Sequence, residues 1–238
     1  MSFLKAEWRK LVLINYVCSE QSLRPYLPAG TELDPWRGKY LVSLVGFMFC
    51  NVRVLGLKIP FHVNFEEVNL RFYVRQKTAS GEWRRGVVFI KEIVPRPAIT
   101  LVANTLYREH YATHRMKHEW QSDEEGLRVG YSWKESGVWH RFGAEAELGA
   151  QPIAAGDIAE FITEHYYGYT RVSERKTYEY EVTHPRWLHY PVKRYWVEVD
   201  FGKVYGAAYA YLNDQSPHSI QLAEGSPITV EQKRTLRR

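Results

Sequence analysis

The chain has 238 residues, 45% of them hydrophobic and 25% charged, with a net charge of +5. That length can bury a sizeable core, and the composition is that of an ordinary folded domain. No basic run lies inside the chain, so no nucleic-acid partner is expected, and the longest apolar run, Leu41 to Cys50, is too short to span a bilayer.

In chain order, Leu11–Cys18 (LVLINYVC) reads as a buried strand. Ser19 can cap a short helix that Pro28 and Gly30 end. KYLVSLVGFMFC is an apolar strand. FHVNFEEVNLRFYVRQ then gives the clearest two-residue period. Val68, Leu70, Phe72 and Val74 share one face; Glu67, Asn69, Arg71 and Tyr73 share the other. SGEW is a hairpin turn and RRGVVFIKEIVP the returning strand. RPAITLVANTLYREHY reads as the best helix, with an apolar stripe of Ile99, Leu101, Val102, Leu106 and Tyr107.

The second half alternates in the same way. HRMKHEWQS, LRVGYSWKE and VWHRFGAEAEL are strands with turns at 123–126 and 135–137. Asp157 caps a helix over DIAEFITEHYYG. KTYEYEVTH and KRYWVEVDF are strands, KVYGAAYAYL is strand or helix, and SIQLAEGSPITV closes the sheet. Residues 231–238 form a basic tail around Lys233, Arg234, Arg237 and Arg238. Helices interrupt strands without βαβ order, so the expected fold is α+β: a single domain, 1–238, on a large curved antiparallel, barrel-like β-sheet with a few helices. The 17 Tyr, 10 Phe and 8 Trp suit a sheet-rich body or a lined cavity.

The motifs exclude more than they assign. No GxSxG, GxGxxG or P-loop string occurs. Cys18 and Cys50 lie in apolar runs and form no CxxC pair, which suggests buried thiols in a reducing compartment. No secretory signal is visible at the N-terminus, so the expectation is a soluble, cytoplasmic protein. His110, His114 and His118 have i, i+4, i+8 spacing, but no fourth ligand is evident, and we expect no metal and no cofactor. The Glu67–Asn69–Arg71 face would meet water on an ordinary sheet. In a closed barrel it would line a cavity and orient a small acid or carbonyl compound. The cluster FITEHYYGYTR adds Glu164, His165 and three tyrosines at the end of the helix capped by Asp157.

Several strings, read in order, resemble the bacterial YqjF-like family, a domain of unknown function: LINYVCSEQSLRPYLPAGTELDPWRGKYLVSLVGFMF, PFHVNFEEVNLRFYVR, GEWRRGVVFIKEIVPRPAITLVANTLY, FITEHYYGYT, HPRW and LAEGSPITV. The family is similar to the acetoacetate decarboxylase-like superfamily. That resemblance implies one barrel-like domain with a central ligand cavity. The decarboxylases use a lysine nucleophile beside a second lysine that lowers its pKa, in a motif near R-E-x-x-G-F-P-K-K. Here Arg108-Glu109 start such a match, but the lysine pair falls on Arg115-Met116, and arginine cannot form an imine. Lys117 lies two residues on and would share Arg115's face. Decarboxylases resemble Y-N-E-V elsewhere; this chain has Phe65-Glu66-Glu67-Val68, so Glu67 matches.

The resulting expectation is a pocket for a small organic ligand, anionic or carbonyl-bearing, held by Glu67, Asn69, Arg71 and Arg115. The alternatives are an enzyme acting on a small oxo- or hydroxy-acid through Glu67 or Lys117, and a weak binder of nucleic acid or anionic surfaces through the tail. No membrane partner is expected, and a homo-oligomer is left open.

Overall fold

The computed structural model describes residues 2–237. Its elements in chain order begin with strand β1 (Leu4–Cys18), helix α1 (Glu20–Leu23), and strands β2 (Thr31–Leu33), β3 (Tyr40–Val54), β4 (Phe65–Lys77) and β5 (Trp83–Val94). Helix α2 (Pro97–Val102) runs into a wide turn over Ala103–Tyr107, followed by β6 (Tyr111–Thr113), β7 (Arg115–Asp123), β8 (Gly126–Glu135), β9 (Val138–Ala146) and β10 (Gln151–Pro152). Then come α3 (Ile158–Thr163), β11 (Tyr167–Ser173), β12 (Lys176–Thr183), β13 (Leu188–Tyr190), β14 (Val192–Glu198), α4 (Phe201–Tyr205), a tight helical stretch over Ala207–Asp214, β15 (Ser219–Val230) and β16 (Arg234–Arg237).

The large sheet runs β15-β1-β3-β4-β5-β11-β12, and β12 pairs back onto β15 through Val182↔Val230 and Thr183↔Thr229. It is therefore a closed barrel, which leaves these strands no free edge between them. The expected antiparallel order holds except at one seam, where β5 and β11 run parallel and share only Tyr167↔Gly86 and Gly168↔Val87. The strands touch so closely there that a Cβ on Gly86 would lie 2.4 Å from the Tyr167 carbonyl oxygen, and on the other side of β11 one on Gly168 would lie 2.1 Å from the Tyr180 ring of β12. Beyond the seam, β6 takes β11's place beside β5, with Glu92↔Tyr111 and Val94↔Thr113.

Alternation on β4 sorts its side chains between two cores. Val68, Leu70 and Phe72 point out of the barrel and are fully buried. They pack with Val129, Tyr131, Trp133 and Phe142 of a second sheet, ordered β14-β9-β8-β7, that covers the outside. Each such apolar side chain contributes roughly 1.5–3 kcal/mol on burial. Glu67, Asn69, Arg71 and Tyr73 point inward. The polar face of this strand is thus its interior face, because the barrel has closed around it. Helix α3, capped by the Asp157 side chain on the Ala159 amide (2.7 Å), plugs one end of the barrel. Its Phe161 ring sits 5.2 Å from that of Tyr73 and 5.3 Å from that of Trp36.

Two expectations need correction. The helix expected over 96–111 is only α2 plus a wide turn, and Leu101, Val102 and Leu106 of its apolar stripe are exposed, because no element among the described residues covers them. The segment expected as a basic tail is partly strand: Arg234–Arg237 pairs with β12, and Arg234 makes an ion pair with Glu179. Arg238 lies outside the described residues. KVYGAAYAYL, left open as strand or helix, is helical; α4 and its continuation cover the barrel beside the second sheet, with the Phe201 ring 5.4 Å from that of Tyr16.

Candidate ligand pocket

The barrel interior holds a cavity of about 480 Å³. β4 contributes Phe65, Glu67 and Arg71 to its wall; β5 contributes Val87, Phe89 and Glu92. Glu109 and Tyr111 enter where the β5–β11 seam parts, Thr163 and His165 come from the end of α3, and Tyr180 from β12.

Three carboxyls meet here with little solvent. Glu67 accepts from Asn69 Nδ2 at 3.0 Å and from the Tyr111 hydroxyl at 3.2 Å. Glu109 accepts from Thr170 Oγ1 at 2.5 Å and from the Tyr180 hydroxyl at 3.4 Å. Glu92 Oε2 has no hydrogen-bond partner. Burial lifts the pKa of Glu67 and of Glu109 to about 7 despite those donors. Glu92 is pushed well up, by burial first and then by the charges of Glu109 and Glu67. The three cannot all ionise together, so the cluster holds protons at neutral pH.

Arg71 is the cation of the cavity. It is 8% exposed, its Nη2 donates to the Ile162 carbonyl at 3.4 Å, and its Nε is without a partner. It makes no ion pair among the described residues. His165 is fully enclosed, and burial brings its pKa down to about 4. Its Nε2 lies 3.2 Å from Asp34 Oδ2, which also accepts from Arg85 Nε at 2.7 Å. A carboxylate only accepts, so Nε2 carries the ring proton. Nδ1 is then an acceptor, and it has no partner.

The structure brings Glu67 and Arg71 together in the cavity wall, with Asn69 behind them holding Glu67. Arg115 and Lys117 lie elsewhere. Both are exposed on β7 of the outer sheet, while Met116 between them takes the buried side. Alternation gives Met116 the core and leaves its neighbours to solvent, where Lys117 Nζ sits 5.0 Å over the Trp139 ring. Among the described residues, no lysine lines the cavity. The three histidines of the 110–120 stretch do not converge: His118 pairs with Glu66 at 2.7 Å, His114 lies 3.9 Å from Glu135, and the His110 ring packs edge-on to Tyr26.

Residue-level reading did not place Glu92, Glu109, Tyr111, His165 or Tyr180 in the site. His165 stood in a cluster already noted, and Glu109 at the start of the partial decarboxylase motif. Glu92 gave no usable signal, because a bulge moves it to the inner face.

The closed, curved sheet is an acetoacetate decarboxylase-like fold, and solved structures share that fold. An acetoacetate decarboxylase-like enzyme from Sphingomonas wittichii RW1 superposes with a TM-score of 0.67 at 12% identity, over 100% of this chain and 94% of its own. The enduracididine biosynthesis enzyme MppR, complexed with pyruvate, gives 0.64 at 11% identity, over 99% and 91%. At these identities the likeness is one of fold. The sequence profile of DUF2071, a family of uncharacterized conserved proteins, matches residues 5–227, and the chain belongs to that family. The uncharacterized protein YqjF of Bacillus subtilis (strain 168) is 28% identical over 194 residues, which is 78% of this chain and 74% of that protein.

Proposed function

We propose that the protein binds a small organic acid in the barrel cavity, with the ligand's carboxylate on Arg71 and no covalent lysine step. Arg71 carries this reading. A buried guanidinium without an acidic partner is costly, and an anionic ligand would supply the missing charge and a bond to Nε. The protonated carboxyls opposite would donate to a carbonyl or hydroxyl on the same ligand, and His165 Nδ1 would accept from one. A fold neighbour is described in complex with pyruvate, which is consistent with this ligand class. The absence of a lysine from the lining argues against imine chemistry.

The carboxyl cluster favours a second reading, an enzyme in which Glu67 or a neighbour moves a proton at a carbon beside a carbonyl. Carboxyls with pKa values near 7 are suited to general acid–base work.

Thermal shift measurements with pyruvate, acetoacetate and butanoate, each against its amide, test the binding reading. The acids should raise the melting temperature of the wild type and not of Arg71→Met, with Arg71→Lys retaining part of the shift. Equal shifts by acids and amides, or a shift unaltered in both folded variants, would count against it.

A further inference from the structure

The cavity changes character along its length. Leu4 on β1 stands level with Val54 on β3 and Val230 on β15, so one end of the barrel is ringed by these residues. The β3–β4 loop, α2 and the wide turn after it stand at that same end and add Leu55, Ile59, Ile99, Val102 and Leu106 to the lining. Leu55, Val102 and Leu106 are 57%, 46% and 50% exposed. Below the rim, Phe49 and Phe65 stack at 4.9 Å. Only beneath them do Glu67 and Glu92 appear, and then Arg71.

Phe65 and Arg71 lie six positions apart on β4, about 20 Å of strand. Barrel tilt reduces that to about 15 Å of depth. A three-carbon acid seated on Arg71 would leave most of a 480 Å³ cavity, and all of its apolar end, unfilled. Natural sites of this size bury most of their ligand's surface. Exposed apolar side chains continuous with a cavity wall mark where apolar ligand surface lies.

We infer that the ligand is an amphiphile: a carboxylic acid with a medium-length unbranched acyl chain, its head at Arg71 and its chain along the rim of Leu55, Ile59, Ile99, Val102 and Leu106. This rests on the head-group seat proposed above and adds the tail.

Calorimetric titration with acetate, butanoate, hexanoate, octanoate and decanoate, each below its micellar concentration, separates the two claims. Affinity should climb roughly tenfold for each two-carbon step, as expected for methylenes leaving water. The decanoate-to-butanoate ratio should fall at least tenfold in Leu106→Asp and in Val102→Asp, whose half-exposed positions tolerate a charge. An affinity that stops rising at butanoate, yet is lost in Arg71→Met, would sink the tail and leave the carboxylate seat intact. A chain-length gain that neither rim variant reduces would place the chain elsewhere and also overturn the inference. Failure of every acid to bind would remove the seat and the tail together.

Discussion

Asn69 and Glu92 face each other across β4 and β5, and they do so only because β5 carries one extra residue. From Trp83↔Lys77 to Phe89↔Arg71 the hairpin keeps a constant register. Between Arg71 and Leu70 the partner jumps from Phe89 to Lys91, leaving Ile90 unmatched. A bulge of this kind reverses which residues point inward. Without it Lys91 would face the cavity and Glu92 the outer sheet. With it Glu92 joins Glu67, and Lys91 points outward to Glu135 at 2.8 Å. The third carboxyl of the pocket, Glu92, therefore depends on one extra residue in β5.

The carboxyl cluster makes stability depend on pH in a definite direction. Glu109 has a raised pKa in the folded protein, about 7, so the folded state holds its proton more tightly than the unfolded chain does. Its contribution is fully present below the unfolded value near 4.5 and is lost as pH rises through 7. Glu109→Gln keeps the shape and cannot ionise. Relative to wild type it should be near neutral in stability at pH 4 and more stable by about 3 kcal/mol at pH 8. Urea unfolding of both proteins at the two pH values measures this. The comparison cancels His165, whose lowered pKa acts in the opposite sense between about 4 and 6.5. A variant difference independent of pH would contradict the buried-acid account.

Among the described residues, no lysine lines the cavity to trap a carbonyl. Incubation with acetoacetate and borohydride, followed by intact-mass and peptide analysis, should give no reduced adduct on Lys117 or any other lysine beyond background. A stoichiometric adduct would return imine chemistry to this protein and require a rearrangement that brings a lysine inward.

The seam between β5 and β11 is where Glu109 and Tyr111 gain entry, and it depends on close backbone approach. Gly86→Ala places a methyl against the Tyr167 carbonyl and the Tyr169 ring. The strands must part, at a cost of about 1–3 kcal/mol, which thermal or chemical denaturation would register. Because the shift moves the wall that carries Glu109, ligand affinity should fall as well. An undisturbed Gly86→Ala protein would mean that the seam is looser than described.

Much of the barrel was legible in local pattern. The alternation of 65–77 named both faces of β4, the caps Ser19 and Asp157 marked α1 and α3, and SIQLAEGSPITV was read as the closing strand. These signals are local, set by a few neighbouring side chains. What was not legible depended on long-range geometry. Whether the Glu67–Arg71 face met water or a cavity depended on β12 reaching β15, more than 40 residues of sequence away. Arg115 and Lys117 were rightly read as sharing a face, but nothing local says that Met116 has the buried one. The stripe of α2 read as core because helical apolar stripes usually are; here it rims an opening instead.

The central claim is that Arg71 receives a carboxylate inside the barrel. A crystal structure of the protein soaked with butanoate tests it most directly. The account expects density for the acid in the cavity, its carboxylate within hydrogen-bonding distance of Arg71 Nε and its chain directed towards Phe65. A cavity without ligand at saturating butanoate, with Arg71 turned onto Glu67 as an internal ion pair, would contradict it.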